Sequence, residues 1–492
     1  MKSIISFLLF AEMLFVFASC TKYTMLNLMS PEEKENAATV VTKGVSKEQE
    51  DADYSVTREM VKSFIQSTSM QDREMFSVLP YPTEDCSLLF VVNFDDGWKI
   101  IPGDSRFGLV LAESDTGHLN MSAIADNPGF RLWLEDYQSQ IESAKGKVLE
   151  GSKAKAGVRI WEMFRKPSIN DTLGAGKDVQ NRDLMWGKIN FQTNTVTDTF
   201  GYKAPLLQTK WGQENPWYDS MPELYGQKCP TGCPAVAVAQ VLYYFHNQQN
   251  IPTGLYESVV LSNIYYHDPL NPSYCTISVN RSNFTYNSSL WNNMPLDSTE
   301  VNPTGYKNVS DLMLDVGARL GQKYSLLVSG VELNNGYYNT GPCKVTGTWA
   351  PYSQPSVSHV TSSLDSNKPV IAVGMRNANN GHTWIIDGYY RAEVTTTNTY
   401  EWWPVNMIPS GTVIYEYKST SELLEEYNHM IYQGMLEVAE NSYYIDLLHM
   451  NWGWNGRGDG FVTMGSPYNN WQGYTNNITV QYNLTPSEFI VN

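Results

Sequence analysis

Cysteine is scarce, six residues in a chain of 492, which is too few to staple a protein of this size and excludes a disulfide scaffold. Only one pair is closely spaced, and with no second cluster a structural zinc site lacks its ligands. Cations are outnumbered, 34 Lys and Arg against 51 Asp and Glu, for a net charge of −17. Such a solvated acidic surface excludes broad affinity for nucleic acid or anionic membrane. The apolar run near the N-terminus is shorter than the ~20 residues of a membrane span. Internal repeats and long low-complexity segments are missing as well. What is present is 42% apolar residues and 13% aromatics, including 31 Tyr and 14 Trp. That composition fills a large core in two or three domains and suits an exported, strand-rich protein.

The first twenty residues, "MKSIISFLLFAEMLFVFASC", have the layout of a secretory signal: Lys2, an apolar stretch, then Ala18-Ser19-Cys20. Small residues ahead of a cysteine resemble a bacterial lipobox. The expectation is therefore export, with a lipid anchor on Cys20 at the cell surface or outer membrane, or plain secretion. Residues 21–54 are polar and charge-rich and read as a tether that cannot offset its ordering entropy by burial. Residues 55–160 read as a smaller α+β unit. Three short strands in 86–117 are separated by Asp95-Asp96-Gly97 and Pro102-Gly103-Asp104, and apolar residues at helical spacing follow in 127–157. Residues 161–203 read as a linker and 204–492 as the main domain, in which 246–305 and 392–440 look like insertions.

Three short blocks carry the chemistry. In "GQKCPTGCPAVAVAQVLYYF" (226–245), Pro234 suits a first helical turn and the run behind it is apolar nearly all round. Cys233 therefore stands at a helix N-terminus, where the dipole and free N–H groups are expected to lower its thiol pKa, with Cys229 a turn outside. The bland readings are an inert buried thiol or a Cys229–Cys233 pair, with Cys275 or Cys343 as other partners for Cys229. In "NKPVIAVGMRNANNGHTWIIDGYY" (367–390), two strands around a Gly/Asn loop put His382 at a strand start, fit to accept a thiol proton; Asp387 reads as a structural carboxylate. In "LHMNWGWNGRGDGFVTM" (448–464), Asn451 is expected to accept the other imidazole N–H, with Trp452 shielding that contact. Upstream, Gln213 in "TKWGQENPWY" (209–218) supplies an amide for an oxyanion. The order Cys, His, Asn along the chain is the papain-like order of roles.

These blocks resemble the streptopain family of bacterial papain-like cysteine proteases: "WGQENPWY", "TGCPAVAVAQVLYY", "GHTWIIDGY" and "NWGWNGRGDGF" in that order, with "SDLMLDVG" (310–317) as a catalytic-domain helix and 86–117 similar to the inhibitory pro-segment. The resemblance implies an α+β fold, a papain-like catalytic domain preceded by a smaller α+β pro-domain that acts as an intramolecular inhibitor. It implies a zymogen, polypeptide substrates with a hydrophobic side chain two positions before the scissile bond, and no cofactor or metal. By matched position it makes Cys233 the nucleophile, His382 the base and acid and Gln213 the oxyanion donor, with Asn451 or Trp452 supporting the histidine. Residue types alone also admit a transglutaminase-like acyl transferase, and the aromatic content admits a non-enzymatic surface lipoprotein that binds glycan or protein.

Overall fold

Helix α1 (Arg58–Ser67) begins where the Thr57 side chain accepts from the Met60 N–H, and it buries Met60, Val61, Phe64 and Ile65 as one stripe. A computed structural model describes residues 54–486 except 69–74, 85, 125, 148–150, 167–184, 252–259, 269–270, 281–287, 335, 353, 378–379, 428–432 and 466–476. The signal and tether expected in 1–53 lie outside the described residues. Strands β1 (Met75–Thr83), β2 (Cys86–Phe94), β3 (Trp98–Pro102) and β4 (Ala112–Ser114) pair antiparallel in sequence order. The meander expected over 86–117 thus gains a fourth strand at its edge. Helix α2 (Pro128–Ala144) starts on an Asn127 cap with Pro128 in its first turn. The helical pattern breaks at Gly146, which has φ of 70°, and resumes as α3 (Ser152–Glu162).

The linker expected over 161–203 is corrected at both ends. Trp161 and Phe164 are core residues packed on Phe64, so the N-terminal unit runs on through them. Met185–Lys203 forms strand β5. Its Thr and Asn content is linker-like, yet Thr and Phe recur there with Ile189, Val196 and Tyr202 among few charges, which suits a pleated surface.

Strands β6 (Val345–Pro351), β7 (Val370–Asn377), β8 (Asn380–Pro404), β9 (Ile414–Ser419), β10 (Met435–Asn451), β11 (Gly460–Val462) and β12 (Ile478–Pro486) complete a 12-stranded sheet. Its order is β1-β2-β3-β4-β11-β10-β8-β7-β12-β6, with β5 on β8 and β9 on β5. The two units share this sheet, because Ala112 and Glu113 of β4 pair with Val462 and Phe461 of β11. The insertion seen at 392–440 is a long ribbon: β8 pairs β10 from Ile385↔Asn451 to Trp402↔Met435, and β5 runs along its other edge. The inner face of the ribbon packs on the N-terminal unit. Val394, Tyr443, Ile445 and Leu447 join Val56, Met60, Phe64, Trp161 and Phe164 in one core. Thr195 bonds Ser67 at 2.7 Å, and Asn398 Nδ2 donates to Met163 O at 2.8 Å.

Beyond the sheet, helix α4 (Cys233–Tyr243) is buried from Pro234 to Tyr243. It packs with α5 (Pro303–Arg319), the helix expected at 310–317, in a core that includes Trp211, Trp217, Ile371, Val373 and Ile385. The N-terminus of α4 therefore meets the sheet where β8 begins.

Candidate active site

Gly232 caps α4 with φ of 91°, a conformation that favours glycine. A Cβ there would also stand 2.7 Å from the Gln322 amide oxygen, and Gln322 Nε2 donates to Thr231 O at 2.6 Å. This tight turn aims Cys233 at β8, where its Sγ accepts from the Thr383 N–H at 3.4 Å. The thiol is half-buried, and burial pushes it up to about 11 against the hydrogen bonds from Thr383 and its own N–H. In this state desolvation of the thiolate works against the lowering expected at a helix N-terminus. Cys229, Cys233 and Cys343 are free thiols, so none of the pairings considered for Cys229 forms. Cys229 is fully buried, and burial carries its thiol to about 11 as well.

His382 is the residue before Thr383, which brings an imidazole and a thiol 149 positions apart in sequence to one place. Its Nε2 lies 2.8 Å from the main-chain carbonyl of Trp452. A carbonyl only accepts, so Nε2 carries the proton and Nδ1 keeps the basic lone pair. The expectation that the Asn451 side chain accepts this proton is corrected. Asn451 Oδ1 takes the Gly453 N–H at 3.2 Å and Gln240 Nε2 at 3.1 Å, while its Nδ2 donates to Thr209 O at 2.8 Å. Asn451 acts one step away: the Gly453 N–H and the Trp452 carbonyl are the two ends of one peptide plane, which the side chain holds in orientation. The Trp452 indole is fully buried, 5.3 Å from the Trp384 ring and 6.4 Å from His382. Gln213 is buried beside the loop that precedes Cys233, its main-chain oxygen accepting from Thr231 N at 2.8 Å.

The start of α2 closes the site. Asn127 Nδ2 donates to Arg457 O at 2.7 Å, Phe130 meets Trp452 edge-on at 6.1 Å, and Trp133 and Tyr137 donate to Thr463 O and Gly465 O. Between these anchors Gly129 lies against the imidazole. A Cβ at that position would stand 2.3 Å from His382 Cδ2 and 2.6 Å from Trp452 Cε3. Burial lowers the His382 pKa to about 4, against the bond to Trp452 O. Burial therefore favours the uncharged form of both the thiol and the imidazole at neutral pH.

Behind the turn lies a second polar group. Asp387 is fully buried and takes the Leu207 N–H at 3.0 Å and His449 Nδ1 at 2.7 Å, so it ties the start of the C-terminal unit to β8, the structural role expected for it. Asp459 accepts from the Trp452 N–H at 2.9 Å, and burial pushes its carboxyl up to about 7. Gly129, Gln240, Gln322 and Asp459 were not singled out from the sequence. Gln240 carried a usable signal, as a lone amide in an apolar helix that must find partners when buried. The others show themselves only through contacts distant in sequence.

Residues 211–462, just over half of the chain, match the Peptidase C10 family. The chain belongs to the Peptidase C10 family. It is 30% identical over 315 residues to streptopain of Streptococcus pyogenes serotype M28, covering 61% of this chain and 68% of that one, and 29% identical over the same shares to streptopain of serotype M1. Among solved structures, a fragment of Prevotella intermedia prointerpain A aligns with a TM-score of 0.48 at 20% identity, covering 82% of this chain and 97% of that one. Active interpain A from the same organism aligns with a TM-score of 0.35 at 21% identity over 58% and 95%. As a Peptidase C10 protein the chain is a cysteine-type peptidase, which decides among the readings that residue types alone left open.

Proposed function

We propose that Cys233 is the nucleophile of an exported endopeptidase made as a zymogen, that His382 is its base and acid, and that residues 54–166 are its inhibitory pro-domain. The contact between Cys233 Sγ and the Thr383 N–H, beside His382, carries this reading. In the uncovered enzyme His382 Nδ1 takes the thiol proton, and the thiolate adds to the scissile carbonyl. The Cys233 N–H and the Gln213 amide hold the oxyanion. The imidazolium then gives its proton to the leaving amine as the C–N bond breaks, and water activated by the same nitrogen hydrolyses the thioester. The Trp452 carbonyl keeps Nε2–H in place throughout, with Asn451 holding the peptide. The substrates are polypeptides with a hydrophobic residue two positions before the cut. Export, with or without a lipid on Cys20, belongs to the same reading.

A peptidyl epoxysuccinate followed by mass spectrometry of the matured enzyme is the direct test. Cys233 is expected to carry the adduct and Cys229, sealed in the core, to carry none; the opposite labelling would remove Cys233 from the site. For the oxyanion, Gln213→Ala is expected to fold normally and lose on the order of 10²–10³ in kcat. An unaltered kcat would require another donor.

A further inference from the structure

Helix α4 holds a second polar group among its apolar residues. Gln240 follows Cys233 by seven residues, two helical turns with an offset of about 20°, so it faces nearly the same way one layer deeper. It is fully buried. Its Nε2 donates to Asn451 Oδ1 at 3.1 Å, and its Oε1 takes the Trp211 N–H and Asn451 Nδ2, each at 3.4 Å. Three segments of the site meet on this one amide. Trp211 opens the segment that carries Gln213, Asn451 orients the peptide whose carbonyl holds His382, and the helix itself carries the thiol.

We propose that Gln240 is a positioning residue of the peptidase reaction, fixing the separation between the nucleophile helix, the loop segment of Gln213 and the turn that holds His382. The geometry gives it leverage. Asn451 Oδ1 binds Gln240 and the Gly453 N–H together, so a displaced Asn451 tilts the Trp452–Gly453 plane and with it the direction in which Nδ1 faces the thiol. A purely apolar residue of equal length would fill the same volume, leave the Trp211 N–H without the Gln240 acceptor and leave Asn451 Oδ1 with the Gly453 N–H alone. Displacements of about 1 Å at a reacting pair reach ~10²-fold in rate.

The inference rests on the assignment of Cys233 and His382 above. Its test is Gln240→Met, expressed as the full chain and matured by tagged wild-type enzyme that is then removed. The expected result is a fall in kcat on the order of 10–100-fold with KM unchanged, and a pH profile of Cys233 alkylation moved toward that of an isolated thiol. Gln240→Glu, whose protonated carboxyl keeps an acceptor for Trp211 and Asn451 Nδ2 and an O–H donor for Asn451 Oδ1, is expected to recover part of kcat, most at the acid end of the pH range. If kcat per folded molecule and the alkylation profile of Gln240→Met both match the wild type, or if activity falls only with the folded fraction, Gln240 is structural and the proposal fails. Failure of wild-type Cys233 itself to be alkylated would instead overturn the assignment on which it rests.

Discussion

Replacing Gly129 by leucine is expected to raise the rate at which iodoacetamide alkylates Cys233 at pH 7 by on the order of 10²-fold, in an uncut chain. With the site covered, the thiol is pushed up to about 11 and the imidazole down to about 4. At pH 7 only about one molecule in 10⁴ then holds a thiolate. No space exists at residue 129 for a side chain against His382 and Trp452, so leucine lifts the start of α2 from the ring. Wetted, the imidazole returns toward ~6.5 and takes the thiol proton, and the helix N-terminus then favours a thiolate in the ~3.5–7.5 range. The gain in thiolate is near 10⁴; a less basic thiolate is a weaker nucleophile by about half of that shift on a logarithmic scale, which leaves roughly 10². The sign with pH follows. A depressed histidine pKa makes the covered state lose stability as pH falls from ~6.5 through about 4, so the wild-type cover is expected to loosen in acid relative to a His382→Gln chain. A Gly129→Leu chain that folds and reacts at the wild-type rate would mean that α2 is not what keeps the pair neutral.

The nucleophile helix was legible because a proline and an apolar run behind a cysteine satisfy both a helix start and a buried face. The meander was legible because its apolar residues fall between Asp-Gly and Pro-Gly turns. Chain order together with the family resemblance put Cys233, His382, Gln213 and the Asn451–Trp452 turn forward as one candidate site. The role of Asn451 was not legible. An asparagine carbonyl serves a histidine or a backbone N–H equally well, and the group that meets His382 is the main chain of Trp452, which has no side-chain signature. The helix end at Cys233 announced a lowered thiol pKa, but the desolvation that works against it comes partly from neighbours that no local pattern identifies. The ribbon hid for a related reason: Asn, Thr and Tyr recur in both linkers and pleated strands. Its partners Thr195, Asn398 and Tyr443 become informative only beside α1 and α3.

That ribbon leads to the second large effect: a single cut in residues 167–184 is expected to leave the pro-domain bound and the enzyme latent. The cut would leave the fragments joined through the β4–β11 strand pairing and two mixed cores. In one core Val394, Tyr443, Ile445, Leu447 and Phe461 meet the N-terminal unit; in the other Trp384, Ile386, Met450, Trp452 and Val462 do. At about 1.5–3 kcal/mol per buried large side chain, their burial exceeds the ~4–15 kcal/mol cost of association. At mid-range, roughly 22 kcal/mol of burial less roughly 10 kcal/mol of association cost leaves about 12 kcal/mol, a dissociation constant on the order of 1 nM. The measurement uses the Cys233→Ala chain with a site for a specific protease placed in 167–184, cut and passed over a sizing column at micromolar and at nanomolar concentration. The pieces are expected to travel together at both, whereas Ile445→Asp, which puts a charge into the shared core, is expected to release the pro-domain with a dissociation constant at least ~10²-fold weaker. Separation of the wild-type pieces at micromolar concentration would show that the ribbon does not clamp the pro-domain. Co-migration would mean that activity appears only as the pro-domain is itself digested, so that the peptidase must destroy its inhibitor rather than shed it.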